Sequence, residues 1–180
     1  MYYQIIKVGK DEIGLVWDEI GKKVRVESIY LPGKIKMTSR IGQDFPAIHK
    51  IPRTVPGGLD QLIVNLYGGK KQNCDLSVLN FSKLTEFSAR VLKQAYKIPH
   101  GKVATYAGLA AKVGNPRAAR AVGTALAKNP FPIIIPCHRV VRTDGSPGQF
   151  GGGSAMKQHF LKKEGIILDK QGRVPSDNIS

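Results

Sequence analysis

The chain has few cysteines and no metal-ligand spacing, and both absences exclude classes of protein. Its 180 residues include only two cysteines, Cys74 and Cys137. Two are too few for a disulfide scaffold in a chain of this size, so we expect both thiols to be reduced. The histidines stand at no paired-ligand spacing to either cysteine, which argues against zinc and predicts no bound metal. They are His49, His100, His138 and His159.

Further missing signals concern membranes and cofactors. No stretch approaches the roughly 18 apolar residues that cross a bilayer, and the first residues lack the long apolar core of a signal peptide. We therefore expect a cytoplasmic protein without a membrane partner. The chain also has neither a Gly-rich dinucleotide fingerprint nor a P-loop. This predicts no cofactor, and excludes S-adenosylmethionine or a nucleotide as the source of a transferred group.

Acidic residues are scarce, and the charge is uneven along the chain. The formal net charge is +15. Residues 1–80 carry 12 Lys and Arg against 8 Asp and Glu, whereas residues 81–180 carry 16 against 5. A positive excess of this kind is typical of a polyanion-binding protein, because neutralised phosphates release condensed counterions. A Lys-rich solvated surface is the alternative.

The first half shows patterns of both strand and helix. Residues 13–17 and 23–30 predict two strands joined by a turn at residues 18–21. Residues 59–67 predict a helix that stops at Gly68. Polar residues 70–75 predict a linker. The pattern therefore divides the chain into residues 1–78 and residues 79–180.

The second half begins with a helical pattern. Apolar residues recur at helical spacing, with Ser82 as the expected N-cap and Pro99 beyond the end. They are Leu84, Phe87, Val91, Leu92, Ala95 and Ile98.

Two short helices are then predicted in succession. Thr105 can cap the first, over residues 106–113, and Gly114 ends it; Asn115 can cap the second. On the second helix an apolar stripe (Ala118, Val122, and Ala125 or Leu126) faces a basic side (Arg117, Arg120, Thr124 and Lys128). This favours a DNA-binding helix-turn-helix, with a purely structural αα-hairpin as the alternative.

Cys137 lies in the most informative stretch, Pro-Cys-His-Arg-Val-Val at residues 136–141. A cysteine after an apolar run is usually a packed hydrophobe. His138, Arg139 and Arg142 are surroundings that would favour a thiolate. On an extended strand, neighbouring side chains point to opposite faces, so a proton could pass from Cys137 to His138 only through a turn or a bridging water.

Four segments carry a resemblance to a known family. Residues 115–123, 129–141, 144–146 and 151–153 closely resemble the O6-alkylguanine-DNA alkyltransferases, also called methylated-DNA–protein-cysteine methyltransferases. The likeness covers residues 80–167, and the first 75 residues match in general layout only. It implies an α+β protein: a small N-terminal α/β domain with a ribonuclease-H-like sheet, and a C-terminal helical, winged-helix-like domain containing the helix-turn-helix.

The resemblance also implies the reaction. In the implied reaction, Cys137 accepts the alkyl group of O6-alkylguanine in double-stranded DNA once per molecule, after the nucleotide is flipped out of the helix. O4-alkylthymine is a further candidate substrate. His138 and Glu164 belong to a Cys–water–His–Glu relay. Asn129 steadies the active-site turn. Tyr106 lies beside the base and the phosphate of the flipped nucleotide.

The remaining implied residues contact DNA or the base, and a monomer is expected to suffice. Arg120 replaces the flipped base, for which a planar guanidinium is suited because it stacks. Asn115, Arg117, Tyr106 and Lys128 complete the DNA-binding set. Val140, Phe150, Gly148 and Gly151 form the base pocket. Many relatives have Tyr where this chain has Phe150, and Pro147 and Gln149 also depart from the usual loop.

Two other functions compete with alkyl transfer. A thiol hydrolase would use Cys137 and His138, but it would leave a basic helix-turn-helix unexplained. A non-catalytic sensor of alkylated DNA, or a DNA-binding regulator, would explain the charge equally well. The sensors that resemble the family lack the acceptor cysteine, which this chain retains.

Overall fold

The chain begins with a three-stranded antiparallel sheet. The computed structural model describes residues 1–21, 23–49 and 52–180. Strands β1 (Tyr2–Val8), β2 (Asp11–Ile20) and β3 (Lys23–Tyr30) pair in the order β1-β2-β3, with a bulge between Val16 and Trp17. The predicted hairpin of β2 and β3 is confirmed. The predicted turn at residues 18–21 is wrong in extent, because β2 continues to Ile20 and pairs there with Lys23. Strand β1 was not predicted.

Two helices cover the two faces of this sheet. Helix α1 (Met37–Asp44) packs Met37 and Ile41 on the face that holds Val16. Gly14 permits this approach, since a Cβ there would lie 2.7 Å from the Met37 sulfur. Helix α2 (Leu59–Tyr67) packs on the other face of the sheet. Because side chains alternate along a strand, Ile13, Leu15 and Trp17 of β2 lie on that face. The prediction of α2 is confirmed at both ends.

The second half is mainly helical. It contains α3 (Glu86–Tyr96), α4 (Tyr106–Lys112), α5 (Ala119–Ala127) and α6 (Gly153–Lys163). Short parallel strands β4 (Ala104–Thr105) and β5 (Val140–Val141) pair between them. In the described part of the chain, 3-10 turns lie at Pro56–Gly58, Leu76–Val78, Cys137–Arg139 and Ser176–Asn178.

Helix starts were predicted less well than helix bodies. Thr105 caps α4 as expected, accepting the Gly108 N–H. Ser82 does not cap α3: it hydrogen-bonds to Asn80, while Thr85 accepts the Ser88 N–H. Asn115 does not cap α5 either, because residues 115–118 form a turn before a helix that begins at Ala119. Arg117 and Ala118 therefore precede the helix on which they were expected.

The two halves share one apolar core. Leu79 pairs with Val26 of β3, and the Ile29 N–H donates to Pro130 O at 2.8 Å. Buried residues from the sheet, α2, α3, α5 and the segment before Cys137 form one continuous cluster. The active-site segment thus packs against the N-terminal sheet. No helix in the described ranges is both long and apolar enough to cross a bilayer.

Candidate active site

Cys137 lies in a tight turn. The apolar residues before it form successive turns, in which Ile133 has a φ of 77° and the Ile135 N–H donates to Phe131 O at 2.8 Å. Residues Cys137–Arg139 make one turn of 3-10 helix. The structure thus has the turn that the sequence left open as one of two routes for the proton, and three prolines and these hydrogen bonds fold the stretch back on itself.

Asn129 connects both ends of this folded segment. Its Nδ2 donates to Ile135 O at 3.1 Å, and its Oδ1 accepts the Phe131 N–H at 2.9 Å. Two backbone groups that a strand would have paired are thereby satisfied by one side chain. The structure thus places Asn129 where it can fix the position of Cys137.

A buried carboxylate connects the turn to the end of α6. Glu164 Oε1 lies 2.8 Å from His138 Nε2, and Arg139 makes two hydrogen bonds to the same carboxylate, at 2.8 and 2.9 Å. Arg139 also donates to Ile98 O at 2.7 Å. Burial alone would raise the pKa of Glu164, but the hydrogen bonds from His138 and Arg139 outweigh it and hold that pKa at about 2. Glu164 is therefore ionised at neutral pH.

His138 is buried and neutral. Burial lowers its pKa below 6.5, and this outweighs the opposing effect of Glu164. A neutral ring with its proton on Nε2 donates to Glu164 and leaves Nδ1 as an acceptor. Among the described residues, Nδ1 has no hydrogen-bond partner although it is buried. The ring thus offers one free proton-acceptor site.

The thiol of Cys137 is also buried, with 7% of the residue exposed. Burial raises its pKa, while a hydrogen bond from Asn129 and the charge of Lys157 lower it. The expectation that Arg139 would favour the thiolate is wrong. Arg139 is directed to Glu164 instead.

Lys157 is the site residue that sequence analysis missed. It is fully buried on α6, and its Nζ donates to Val140 O and lies 3.5 Å from the Tyr106 hydroxyl. Burial lowers its pKa to about 8. Its spacing was the available signal, because Lys157 precedes Phe160 and Leu161 by three and four residues and so shares their buried helix face.

Tyr106 supports the loop that follows β5. Its hydroxyl donates to Gln149 O at 3.4 Å, and burial raises its pKa. Gly148 has a φ of 68°, and a Cβ there would lie 2.9 Å from the Tyr106 hydroxyl. The loop can therefore approach Tyr106 only because residue 148 is glycine.

A cavity of about 460 Å³ lies between this loop and α5. It brings together Tyr106, Arg120, Lys128 and Gly148 of the predicted residues, and adds Arg142 and Gln149. Asn115 and Arg117 do not line this cavity. They are exposed in the turn between α4 and α5.

A second cavity, of about 150 Å³, contains Cys137. Asn129, Phe150 and Gly151 line it, whereas Val140 is fully buried beneath the site. Residues from the N-terminal half close one side of it. Within the described ranges, His, Cys, Asp and Glu side chains form no group of three that could hold a metal ion.

This chain is similar to several known proteins. The profile of the 6-O-methylguanine DNA methyltransferase DNA-binding domain matches residues 86–166. A methylated-DNA–protein-cysteine methyltransferase of Methanothermobacter thermautotrophicus is 38% identical over 160 residues, 89% of this chain and 83% of that protein. One from Methanosarcina barkeri is 35% identical over 164 residues, 91% of this chain and 97% of that protein. The crystal structure of Mycobacterium tuberculosis OGT in complex with DNA superimposes with a TM-score of 0.73 at 29% identity, covering 98% of this chain and 97% of that one.

Proposed function

The chain belongs to the family of methylated-DNA–protein-cysteine methyltransferases, and we propose that its alkyl acceptor is Cys137. The protein repairs DNA by transferring an alkyl group from the damaged base to a cysteine of its own. The observation that carries this assignment is the arrangement of side chains around Cys137. A buried cysteine precedes a neutral histidine whose free Nδ1 is its proton acceptor and whose other nitrogen is held by an ionised carboxylate.

Activation of the thiol uses His138 as a general base. A bridging water takes the Cys137 proton and passes one to His138 Nδ1, so that the thiolate and a protonated imidazole form together. The Glu164 carboxylate stabilises that imidazolium, since it already accepts the Nε2 proton. The Lys157 ammonium stabilises the thiolate, whose pKa it lowers.

Alkyl transfer is a single displacement. A bond forms between Cys137 Sγ and the alkyl carbon while the bond from that carbon to guanine O6 breaks, and its electron pair stays on the base. The base is then an anion, and Tyr106 donates a hydrogen bond to it or the proton that restores it to guanine within the DNA. The product is a thioether, whose carbon–sulfur bond is stable in water, so each molecule acts once.

The proposed substrate is double-stranded DNA that contains an alkylated guanine. An O6-alkyl group lies within the base stack, so the nucleotide must be rotated out before the thiol can reach it, at a cost of a few kcal/mol. Exposed Arg120 on α5 fills the space that the base leaves. We assign the phosphate contacts to Arg117, Asn115 and Lys128, and the relative crystallised in complex with DNA supports DNA binding by this fold.

The proposed base pocket lies beside Cys137. Phe150 and Gly151 form its wall in the cavity of the thiol, Gly148 supplies backbone groups, and the Val140 carbonyl is held by Lys157. We further propose a division into an N-terminal ribonuclease-H-like domain at residues 1–78 and a winged-helix-like domain at residues 79–180, acting together as a cytoplasmic monomer.

Intact mass spectrometry tests the acceptor. The reduced protein is incubated with a duplex containing O6-methylguanine, and we expect a gain of one methyl group on the wild type and none on Cys137→Ser. Cys74→Ser is the matched control and should react as the wild type does, because burial and Asp75 raise the pKa of Cys74 to about 11. Unchanged mass with retained binding would instead identify a lesion sensor, and repeated turnover on one polypeptide would exclude single use.

A further inference from the structure

The cavity that contains Cys137 is completed by the N-terminal half of the chain. Its lining from that half is the end of β3 and the residues just beyond, together with one side chain of α1. These residues are Ile29, Tyr30, Leu31, Pro32 and Arg40. At about 150 Å³ the cavity is small, and Arg40 and Cys137 both line it.

Arg40 is held in a fixed position at this cavity. Its Nη1 donates to Leu31 O at 2.7 Å, and its guanidinium carbon lies 5.2 Å from the centre of the Tyr30 ring. A Cβ at Gly33 would lie 3.2 Å from the same Nη1. The segment after β3 therefore folds closely around the guanidinium and keeps it beside the cavity.

Arg40 makes no ion pair with a carboxylate within the described ranges, and Asp44, one turn further along α1, accepts the Tyr30 hydroxyl instead. Two other arginines with fixed side chains each face one, since Arg53 pairs with Glu19 and Arg139 pairs with Glu164. Arg40 forms no such pair in the part of the chain that the structure describes, and no Asp or Glu lines the cavity. A guanidinium has five N–H donors in a planar fork that matches a carboxylate. The cavity thus combines the thiol with an unpaired cation.

We propose that Arg40 is a specificity-determining residue that favours the transfer of alkyl groups bearing a negative charge. This rests on the proposed function of Cys137. The smallest such group is carboxymethyl, which suits a cavity of this size. The Cys137 sulfur would bond to its methylene carbon, the bond from that carbon to O6 would break with its electron pair remaining on guanine, and the carboxylate would stay ionised against Arg40.

The cavity favours this reading over a contact with DNA phosphate. Arg40 shares a cavity with Cys137, whereas Arg120 and Lys128, which are proposed to contact DNA, line a different one. A phosphate contact would act on every lesion alike. A contact with the alkyl group would act only on charged ones.

The test compares two lesions of nearly equal size that differ in charge. Duplexes carry O6-carboxymethylguanine or its neutral amide, O6-carbamoylmethylguanine, and single-turnover transfer rates are measured for the wild type, Arg40→Gln and Arg40→Lys. We expect Arg40→Gln to lower the ratio of the carboxymethyl rate to the carbamoylmethyl rate about tenfold, as removal of one nearby charge predicts. Arg40→Lys, which keeps the charge, should retain most of the ratio.

Two controls separate this proposal from its alternatives. Arg53→Gln removes an arginine of the same half that pairs with Glu19 and is absent from the cavity lining, and it should leave the ratio unchanged. O6-methylguanine has no charge to recognise, so Arg40→Gln should repair it at the wild-type rate. An unchanged ratio in Arg40→Gln, or an equal loss on all three lesions with weaker DNA binding, overturns the role of Arg40. Failure of the wild type to methylate Cys137 contradicts the proposed function instead.

Discussion

Replacing Glu164 with glutamine should destabilise the protein in a pH-dependent way. The carboxylate joins His138 and Arg139 through three hydrogen bonds in a buried position, where 5% of the side chain is exposed. Glutamine keeps the shape of the side chain but removes its charge. The largely buried guanidinium of Arg139 then has no carboxylate to pair with. Breaking a buried pair in this manner is strongly destabilising.

The magnitude follows from the pKa of Glu164. The interactions of the folded state lower that pKa from 4.5 to about 2. At 1.36 kcal/mol per pKa unit, the ionised carboxylate contributes about 3 kcal/mol to the free energy of unfolding. Since the folded pKa is depressed, this contribution is complete above pH 5 and is lost as the pH falls from 4.5 towards 2. At pH 3 roughly half of it should remain.

Urea denaturation of wild type and Glu164→Gln at pH 7 and pH 3 measures both values. Glu86→Gln is the control, since Glu86 is an exposed carboxylate in the first turn of α3 and its removal should change stability by about 0.5 kcal/mol or less. A variant that is equally destabilised at the two pH values would show that the loss does not come from the charge. Full additivity between Glu164→Gln and Arg139→Gln would refute the pairing, because contacting residues couple by about 0.5–3 kcal/mol.

Three further predictions concern reactivity. Lys157→Met should slow alkylation of Cys137 by iodoacetamide about tenfold at pH 7, because the variant lacks the charge that stabilises the thiolate. The difference from the wild type should shrink above pH 8, since wild-type Lys157 has a pKa of about 8 and loses its charge there. A difference that stays constant with pH would contradict this. Gly148→Ala should lower the transfer rate about tenfold or more because its Cβ meets Tyr106, whereas Gly42→Ala, at an exposed position of α1 with nothing within 4 Å, should react normally. Arg120→Ala should slow repair of duplex DNA far more than reaction with free O6-alkylguanine base, and equal losses would remove its role in flipping.

Periodic patterns predicted the bodies of the elements well. Helix α2 and strand β3 occur at their predicted bounds, because alternation and helical spacing are set by which face is buried. Starts were less predictable. Ser82 and Asn115 are both good capping residue types, but each instead takes part in a turn before its helix. Local sequence therefore supplied the right residue types for a start without fixing where the helix begins.

The charges of the site were the least predictable feature. Arg139 is next to His138 and two residues from Cys137, yet its guanidinium faces Glu164 of a distant helix. Lys157, twenty residues away, is the cation that lowers the pKa of the thiol. Spacing along the chain could not predict that Lys157, and not Arg139, acts on the thiol. The reason is that the turn at residues 137–139 changes the directions in which the side chains would point from a strand. Tertiary packing decides which cation reaches which anion.

Burial of Cys137 has a consequence for a protein that acts once. Because burial raises the pKa of the thiol, most molecules carry it protonated, and a protonated thiol reacts slowly with electrophiles in solution. His138, the base that accepts the thiol proton, is itself buried and is neutral at pH 7. In the proposed mechanism, a flipped base that fills the cavity brings the alkyl carbon to Cys137. Burial of Cys137 thus protects the thiol from other electrophiles. It also makes the reaction depend on a lesion that fits the cavity.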